Sequence, residues 1–322
     1  MPAMSVPFSS FASSEARRAF IEGVERARTL MSSEVTDVAR IRAATAAALA
    51  PLADQSAALT PVSIVPRKIA GVATEIVAPK AGVAARNRNR VLINLHGGGF
   101  FVGAGVGGRV EAVPVAGVGK IRVVAVDYRE GPENKFPAAS EDVVSVYKDL
   151  LKHYPAKNIG IYGCSAGGLL TAEAEAMIQR QGLPNPGAIG MFCASAGGWA
   201  GGDSTYTVAS LGQPPEKTDS PHFAVSDAAY FSDADLNDPM VLPIRSAAIL
   251  ARFPPTLIVT GTRDVSMSAA VHTHAELVKH GVDADLHVWE GVGHGFFYDP
   301  SLPESQEAYA VIVKFFDKHL GH

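Results

Sequence analysis

The sequence predicts an α/β domain built on a doubly wound, mostly parallel β-sheet. Three observations point there. Apolar runs of strand length alternate with helix-length stretches along most of the chain. The runs VLINLH at 91–96 and IRVVAVDY at 121–128 are almost continuously apolar, as expected of strands buried on both faces. The alternation is broken once, by a segment at 197–254 rich in Gly, Pro, Asp and Ser. At about 58 residues it is far too long for an ordinary connection, so it reads as an insertion.

Taken in order, the elements support this class. From residue 14, Phe20, Ile21, Val24, Ala27 and Met31 share one helical face, and Ser13 or Ser14 can cap it. An alanine-rich helix is expected over about 36–49, stopping near Pro51. SIVPRKIA and VATEIVAP flank Gly71 and read as a hairpin. Further strands are expected at 158–163, 188–195, 256–262 and 284–291. Helices are expected at about 138–153, 166–181, 266–280 and 304–319. The resulting organisation is a core of 61–196 and 255–322, two N-terminal helices within 1–60 that pack on the sheet or lie over its edge as a lid, and the 197–254 insertion over the functional face.

Composition removes several function classes. Basic and acidic residues number 28 and 32, a net charge of −4, and no basic run suggests nucleic acid or anionic lipid. RNRNR at 86–90 directly precedes a strand and reads as a solvated loop. Two cysteines are too few for a disulfide framework, and no Cys/His spacing suits zinc. His272 and His274 lack a carboxylate or cysteine cluster and read as helix-surface residues, so no metal is expected. The first twenty residues lack a basic segment followed by an apolar one, and no run of 18 apolar residues offers a membrane span. A soluble, cytoplasmic protein is expected; secretion after removal of an upstream leader is the other reading. GAGVGG at 103–108 fits G-x-G-x-x-G, and Asp127 ends a later strand. Yet the preceding strand ends at His96 and GGGFFV intervenes, so the nucleotide reading is set aside and no cofactor is expected.

Two stretches carry a serine before Ala-Gly-Gly: GCSAGG at 163–168 and CASAGG at 193–198. A serine presented at a sharp strand-to-helix turn needs φ > 0, and that turn brings the residues two before and two after it together. Ser165 has glycine at both places, Gly163 and Gly167, and a helix follows it. Ser195 has Cys193 upstream and a loop downstream. Ser165 is therefore the candidate nucleophile. A serine hydroxyl needs a base to take its proton. His294 lies in GVGHGFF after the last strand, and Asp264 in GTRD after the one before it. Asp264 is expected to fix the His294 tautomer and stabilise the imidazolium. The three glycines of LHGGGFF let the backbone approach a substrate, making the Gly98, Gly99 and Ala166 amides the candidate oxyanion donors. Phe100, Trp199 and Phe296 are candidate walls of the substrate pocket.

Together, HGGGF, DYREGPENKFPAASEDV, GCSAGG, GTRD and GHGFF resemble the hormone-sensitive-lipase-like family of α/β-hydrolase esterases over about 90–319. The resemblance implies an α/β-hydrolase fold with a helical cap, formed by the N-terminal helices and parts of 197–254. It also implies a serine carboxylesterase acting on short to medium acyl esters without a cofactor, and His96 holding the glycine loop. Members of the family often form homodimers. The chain departs from the family in carrying Cys164 where an acidic residue is common, Glu130-Gly131 in place of an apolar pair, and VSMSAA after Asp264. Cys164 itself, one residue short of the turn, is expected to point into the fold. Lactone or amide hydrolysis and acyl transfer would use the same residues. A small-ligand receptor without turnover is a reading of another class; relatives in that role lose one of the three residues, whereas Ser165, Asp264 and His294 are all present.

Overall fold

The computed structural model describes residues 7–31, 37–198, 201–210 and 229–321. Two helices, α1 (Ser14–Met31) and α2 (Val38–Leu59), precede the sheet. Ser13 caps α1, its hydroxyl accepting from the Ala16 amide at 3.0 Å. The Glu304 carboxylate anchors the same end by accepting from the Ser13 amide (2.7 Å) and hydroxyl (2.9 Å). The expected stop at Pro51 does not occur, because α2 runs through the proline to Leu59. An interior proline costs about 3 kcal/mol. Ala53 and Ser56 are buried beyond it, and the Thr60 amide and hydroxyl both close on the Ser56 carbonyl at 2.9 and 2.8 Å. Tertiary packing thus outweighs the local penalty.

The hairpin forms as expected from β1 (Val62–Ile69) and β2 (Val72–Pro79). Its turn residues Ala70 and Gly71 have φ of 50° and 87°, as a type I′ turn requires. Then follow β3 (Val91–Leu95), α3 (Val106–Gly119), β4 (Arg122–Asp127), α4 (Ala138–Leu150), β5 (Ile159–Cys164), α5 (Ala166–Arg180) and β6 (Ala188–Phe192). The chain continues with α6 (Asp203–Ser210), α7 (Ala247–Leu250), β7 (Thr256–Arg263), α8 (Met267–Lys279), β8 (Ala284–Gly293) and α9 (Pro303–His319). The strand order is β1-β2-β4-β3-β5-β6-β7-β8, parallel from β4 onward and antiparallel at β1 and β2. Strand side chains alternate between two cores. Ile93, Leu95 and Ile161 pack toward α4, α5 and α8, whereas Leu92, Tyr162 and Phe192 pack toward α3 and α9.

Helix α3 was not among the expected elements. Four glycines and Pro114 lower its intrinsic propensity. It exists because Ala112, Val113, Val115 and Ala116 are buried between α9 and the sheet. GAGVGG is the entry to this helix, and Asp127 is spent accepting the Gly105 amide at 2.7 Å. Within the insertion, α6 is bound to the start of α8: the Ser204 hydroxyl donates to the Val265 carbonyl (2.7 Å) and its amide to Ser268 Oγ (2.9 Å). Among the described residues no helix is long and apolar enough to cross a membrane.

RNRNR is only partly the solvated loop expected. Arg90 is 1% exposed. Its guanidinium donates to the Leu320 and Gly321 carbonyls (2.9 and 2.8 Å), Asn87 Oδ1 (3.2 Å) and Asp317 (2.8 Å). It therefore pins the C-terminal helix to the foot of β3. Arg90→Ala orphans those carbonyls and is expected to cost about 2–4 kcal/mol of stability. Urea unfolding followed by circular dichroism measures this, and a change below about 0.5 kcal/mol would contradict the assigned role.

Candidate active site

Ser165 stands where β5 turns into α5, half-buried, with φ 55° and ψ −121°. The strain is held from several sides. The Ser165 amide donates to the Phe192 carbonyl of β6 at 2.8 Å, and its own carbonyl accepts from the Gly168 and Leu169 amides (3.0 and 3.1 Å). A Cβ on Gly163 would stand 2.6 Å from the Gly167 backbone and 2.2 Å from the Leu95 carbonyl oxygen; one on Gly167 would stand 1.8 Å from that oxygen. Glycine is required on both sides of the serine because the turn packs directly on the end of β3. Ser195 has none of this. It is 1% exposed, its hydroxyl donates to the Gly198 carbonyl (2.7 Å), and its oxygen accepts from the Gly197 amide (3.0 Å). Cys164 is fully buried, as expected, and burial pushes its thiol above the usual range.

Asp264 follows β7 and His294 follows β8, and the two side chains meet: His294 Nδ1–H donates to Asp264 Oδ1 at 2.8 Å. Asp264 is fully buried and also accepts from the Thr260 hydroxyl (2.8 Å) and the Ser266 amide (2.9 Å). Burial alone would raise its pKa; His294 and these donors reverse that and hold it below the usual value. Burial pulls the His294 imidazole down, and the Asp264 charge and hydrogen bond pull it up, with a net rise above 6.5. About a third of the His294 side chain is exposed, and the Asp264 charge and hydrogen bond together outweigh the loss of water.

Among the described residues the Ser165 hydroxyl and His294 Nε2 make no hydrogen bond to any group, so both are uncommitted. They are linked through β6. Phe192 holds the Ser165 amide, and the sulfur of the next residue, Cys193, lies within 4.8 Å of the Asp264 and His294 donor atoms. Cys193, Asp264 and His294 are the described residues whose donor atoms cluster as a metal site would. However, the acid and imidazole already bond each other, and burial and the Asp264 charge keep the Cys193 thiol protonated. The trio fits a hydrogen-bonded pair beside a thiol better than a cation site.

The glycine loop leaves β3 beside the elbow. Gly98, Gly99 and Phe100 have φ of 123°, 64° and 59°, and a Cβ on Gly98 would fall 1.8 Å from the Val102 carbonyl oxygen. The amides of Gly98, Gly99 and Ala166 donate to no acceptor among the described residues. His96 is fully buried, stacks on Tyr128 at 4.2 Å, and donates from Nδ1 to the Gly97 carbonyl at 2.8 Å. Burial lowers its pKa to about 4, so the ring is neutral.

Sequence reasoning missed how the loop is held from outside. Arg42 of α2 donates to the Phe101 and Gly131 carbonyls (2.9 and 2.8 Å) and pairs with Glu133 (2.7 Å). Glu130, where the resemblance expects an apolar residue, is buried 3.5 Å from the same guanidinium and 4.0 Å from His96. Burial raises its carboxyl to about 7 against the pull of Arg42. Also missed was Glu111 of α3, whose carboxylate lies behind the site; burial raises it to about 7. The available signal was a lone acid in the apolar stretch VEAVPVAGVG.

The substrate-wall candidates divide. Phe100 is fully buried, stacked on Tyr230 at 4.7 Å and edge-on to Phe231 at 5.0 Å; it packs the core under the loop and is not a pocket wall. Phe296 lines a cavity of about 530 Å³ shared with His294, Tyr298, Phe20, Leu49 and Leu52. Trp199 lies outside the described residues.

Fold and site define an ester-hydrolysing α/β enzyme, and comparison with known proteins agrees. The model of the alpha/beta hydrolase fold family matches residues 92–298. An acetyl-hydrolase of Streptomyces hygroscopicus is 30% identical over 237 residues, which span 72% of this chain and 76% of that protein. An esterase of Acinetobacter venetianus is 26% identical over 83% of this chain and 88% of its own length. Among solved structures, esterase E25 superposes with a TM-score of 0.84 at 31% identity, covering 100% of this chain and 98% of that one. An esterase from the bacterial hormone-sensitive lipase family gives 0.79 at 27% identity, covering 96% and 99%. The chain belongs to the α/β hydrolase fold family, among the hormone-sensitive-lipase-like esterases, and is a carboxylesterase.

Gly98→Ala drives a methyl group into the Val102 carbonyl and must re-form the loop. It is expected to lower kcat on p-nitrophenyl butyrate by about 10²-fold or more, the usual effect of losing an oxyanion donor. Steady-state kinetics on protein with an unchanged circular dichroism spectrum checks this; near-normal kcat would remove the loop from the site.

Proposed function

We propose that the enzyme hydrolyses short to medium acyl esters in two steps through an acyl-Ser165 intermediate. The observation that carries the reading is the 2.8 Å pair between fully buried Asp264 and His294, joined through Phe192 and Cys193 at the end of β6 to a serine held at φ 55°. The acid faces only the Nδ1 side of the imidazole, which leaves Nε2 to act as base. In the first step His294 Nε2 takes the Ser165 proton as Oγ attacks the ester carbonyl. Negative charge gathers on the carbonyl oxygen and meets the Gly98, Gly99 and Ala166 amides. The tetrahedral centre collapses, His294 returns the proton to the departing alcohol oxygen, and the acyl group stays on Oγ. Water, deprotonated by the same imidazole, then releases the acid and restores the serine.

Helices α1 and α2 serve as part of the cap in this reading. The Arg263 guanidinium lies over the Phe8 and Phe20 rings at 4.4 and 4.8 Å and fastens α1 above the end of β7. Between these helices and the His294 loop lies the cavity of about 530 Å³. Its size falls in the range of small-molecule sites, and its Phe20, Leu49, Leu52 and Phe296 walls suit an aliphatic chain.

Ser165→Ala is expected to lower kcat on p-nitrophenyl butyrate by a factor on the order of 10⁶; near-normal turnover would remove the assignment. The pH dependence follows from the direction of the His294 shift. Protonated imidazole cannot accept the serine proton, so kcat/KM is low at acid pH and rises as the ring loses its proton. Because Asp264 raises that pKa, the midpoint should lie above 6.5. A profile measured from pH 5 to 9 that is flat, or has its midpoint well below 6.5, would contradict this.

A further inference from the structure

The glycine loop, the elbow and the His294 loop come from distant parts of the chain, and one buried group bonds the first and the last of them beside the elbow. Glu111 of α3 is 1% exposed. Its Oε1 accepts from the Gly97 amide (2.9 Å) and the Tyr298 hydroxyl (2.7 Å), and its Oε2 accepts from Asn94 Nδ2 (2.9 Å). Gly97 in turn packs on the elbow, where a Cβ on it would stand 3.1 Å from the Cys164 carbonyl oxygen and 3.4 Å from Ser165 Cβ. Asn94 is on β3, and Gly97 begins the loop that carries the Gly98 and Gly99 amides. Tyr298 closes the short 3-10 turn Phe296–Tyr298 that follows His294, and its ring lines the cavity that His294 also lines. Cys164 is the residue before Ser165.

We infer that Glu111 is a positioning residue for the ester hydrolysis, holding the glycine loop and the His294 loop in register with the Ser165 elbow. The inference rests on the roles proposed above for Ser165, His294 and the loop amides. Above its pKa of about 7 the Glu111 carboxylate only accepts, so the three donors that converge on it do so without repulsion. Bonds to such a group are stronger than neutral ones. A shared buried acceptor makes a shift of one donor felt by the others, because a loop that moves away leaves its own donor unpaired in the interior. An amide at this position has one accepting oxygen and a donating NH2 group. It cannot satisfy the donors at both Oε1 and Oε2, so Glu111→Gln keeps the size and breaks the convergence. Tyr298→Phe keeps the ring and removes a single bond.

The test uses both variants and the wild-type enzyme with p-nitrophenyl butyrate as substrate. Active sites are counted by stoichiometric release of p-nitrophenol from a p-nitrophenyl alkylphosphonate, and butylboronic acid serves as a tetrahedral mimic. Glu111→Gln should lower kcat per titrated site by about 10–100-fold with KM changed less than about three-fold. That factor corresponds to losing the contribution of a hydrogen bond to a charged group. Butylboronic acid affinity should fall by a similar factor, and Tyr298→Phe should lose about 3–10-fold on the same measures. A purely structural Glu111 would lower the melting temperature and the number of titratable sites but leave kcat per site and boronate affinity at wild-type values, and that result overturns the inference. If Glu111→Gln does not fold, Tyr298→Phe decides: unchanged kcat per site overturns the proposal, and the expected loss sustains it. Failure of the underlying reading looks different. In that case the phosphonate releases no stoichiometric burst from wild type, or still does so from Ser165→Ala, and the positioning role falls with it.

Discussion

Two backbone segments touch at the end of β5, and the rest of the site is arranged around that contact. The turn from β5 into α5 presses Gly163 and Gly167 against each other and against the Leu95 carbonyl, with no room for a Cβ at either position. This closeness lets a strand become a helix within one residue, and the residue at the turn, Ser165, takes the φ of 55° that the geometry demands. Such a conformation costs on the order of 1–3 kcal/mol and persists only if its surroundings enforce it. Here the Phe192 carbonyl grips the serine amide on one side while β3 blocks retreat on the other. The same contact fixes where the glycine loop leaves β3, since the carbonyl that the turn packs on belongs to the residue just before His96.

Around this turn, buried acids do distinct work set by their partners. Asp264 has a histidine, a hydroxyl and an amide, and stays ionised despite complete burial. Glu111 has three donors on two loops and a strand. Glu130 lies at the edge of the Arg42 guanidinium and near neutral His96. The first matches a group that must answer a charge forming on an imidazole. The second matches a clamp, and the third joins an N-terminal helix to the loop region. Charge-bearing groups therefore join the separately encoded pieces of the site, while apolar packing on the two sheet faces supplies the frame.

The frame was largely legible in the sequence because buried parallel strands are apolar without interruption, a signal needing no knowledge of neighbours. The order of Ser165, Asp264 and His294, each placed after a strand, was legible for a related reason: strand ends can be read, and the sheet brings them to one edge. What stayed hidden depends on long-range contacts. Helix α3 is rich in glycine and has a proline, so only its packing against α9 and the sheet makes it a helix. Pro51 marked a local stop that burial of Ala53 and Ser56 overrode. Arg90 read as a loop cation because its partners lie some 230 residues away, at the C-terminal end. Phe100 read as a pocket wall because it follows the glycines, but its positive φ turns it inward onto Tyr230. Glu111 and Arg42 act through side chains on elements whose packing no local pattern reveals.

The central claim is that the chain's nucleophile is the serine at the strained turn and not its near-copy at 195. Covalent labelling with a fluorophosphonate followed by tryptic peptide mapping tests this most directly. Cleavage after Lys157, Arg180 and Lys217 places Ser165 in peptide 158–180 and Ser195 in peptide 181–217. The account predicts one adduct per chain, on Ser165 in the first peptide, with esterase activity lost in proportion. An adduct in the second peptide, or an enzyme that stays active after labelling at Ser165, would contradict it.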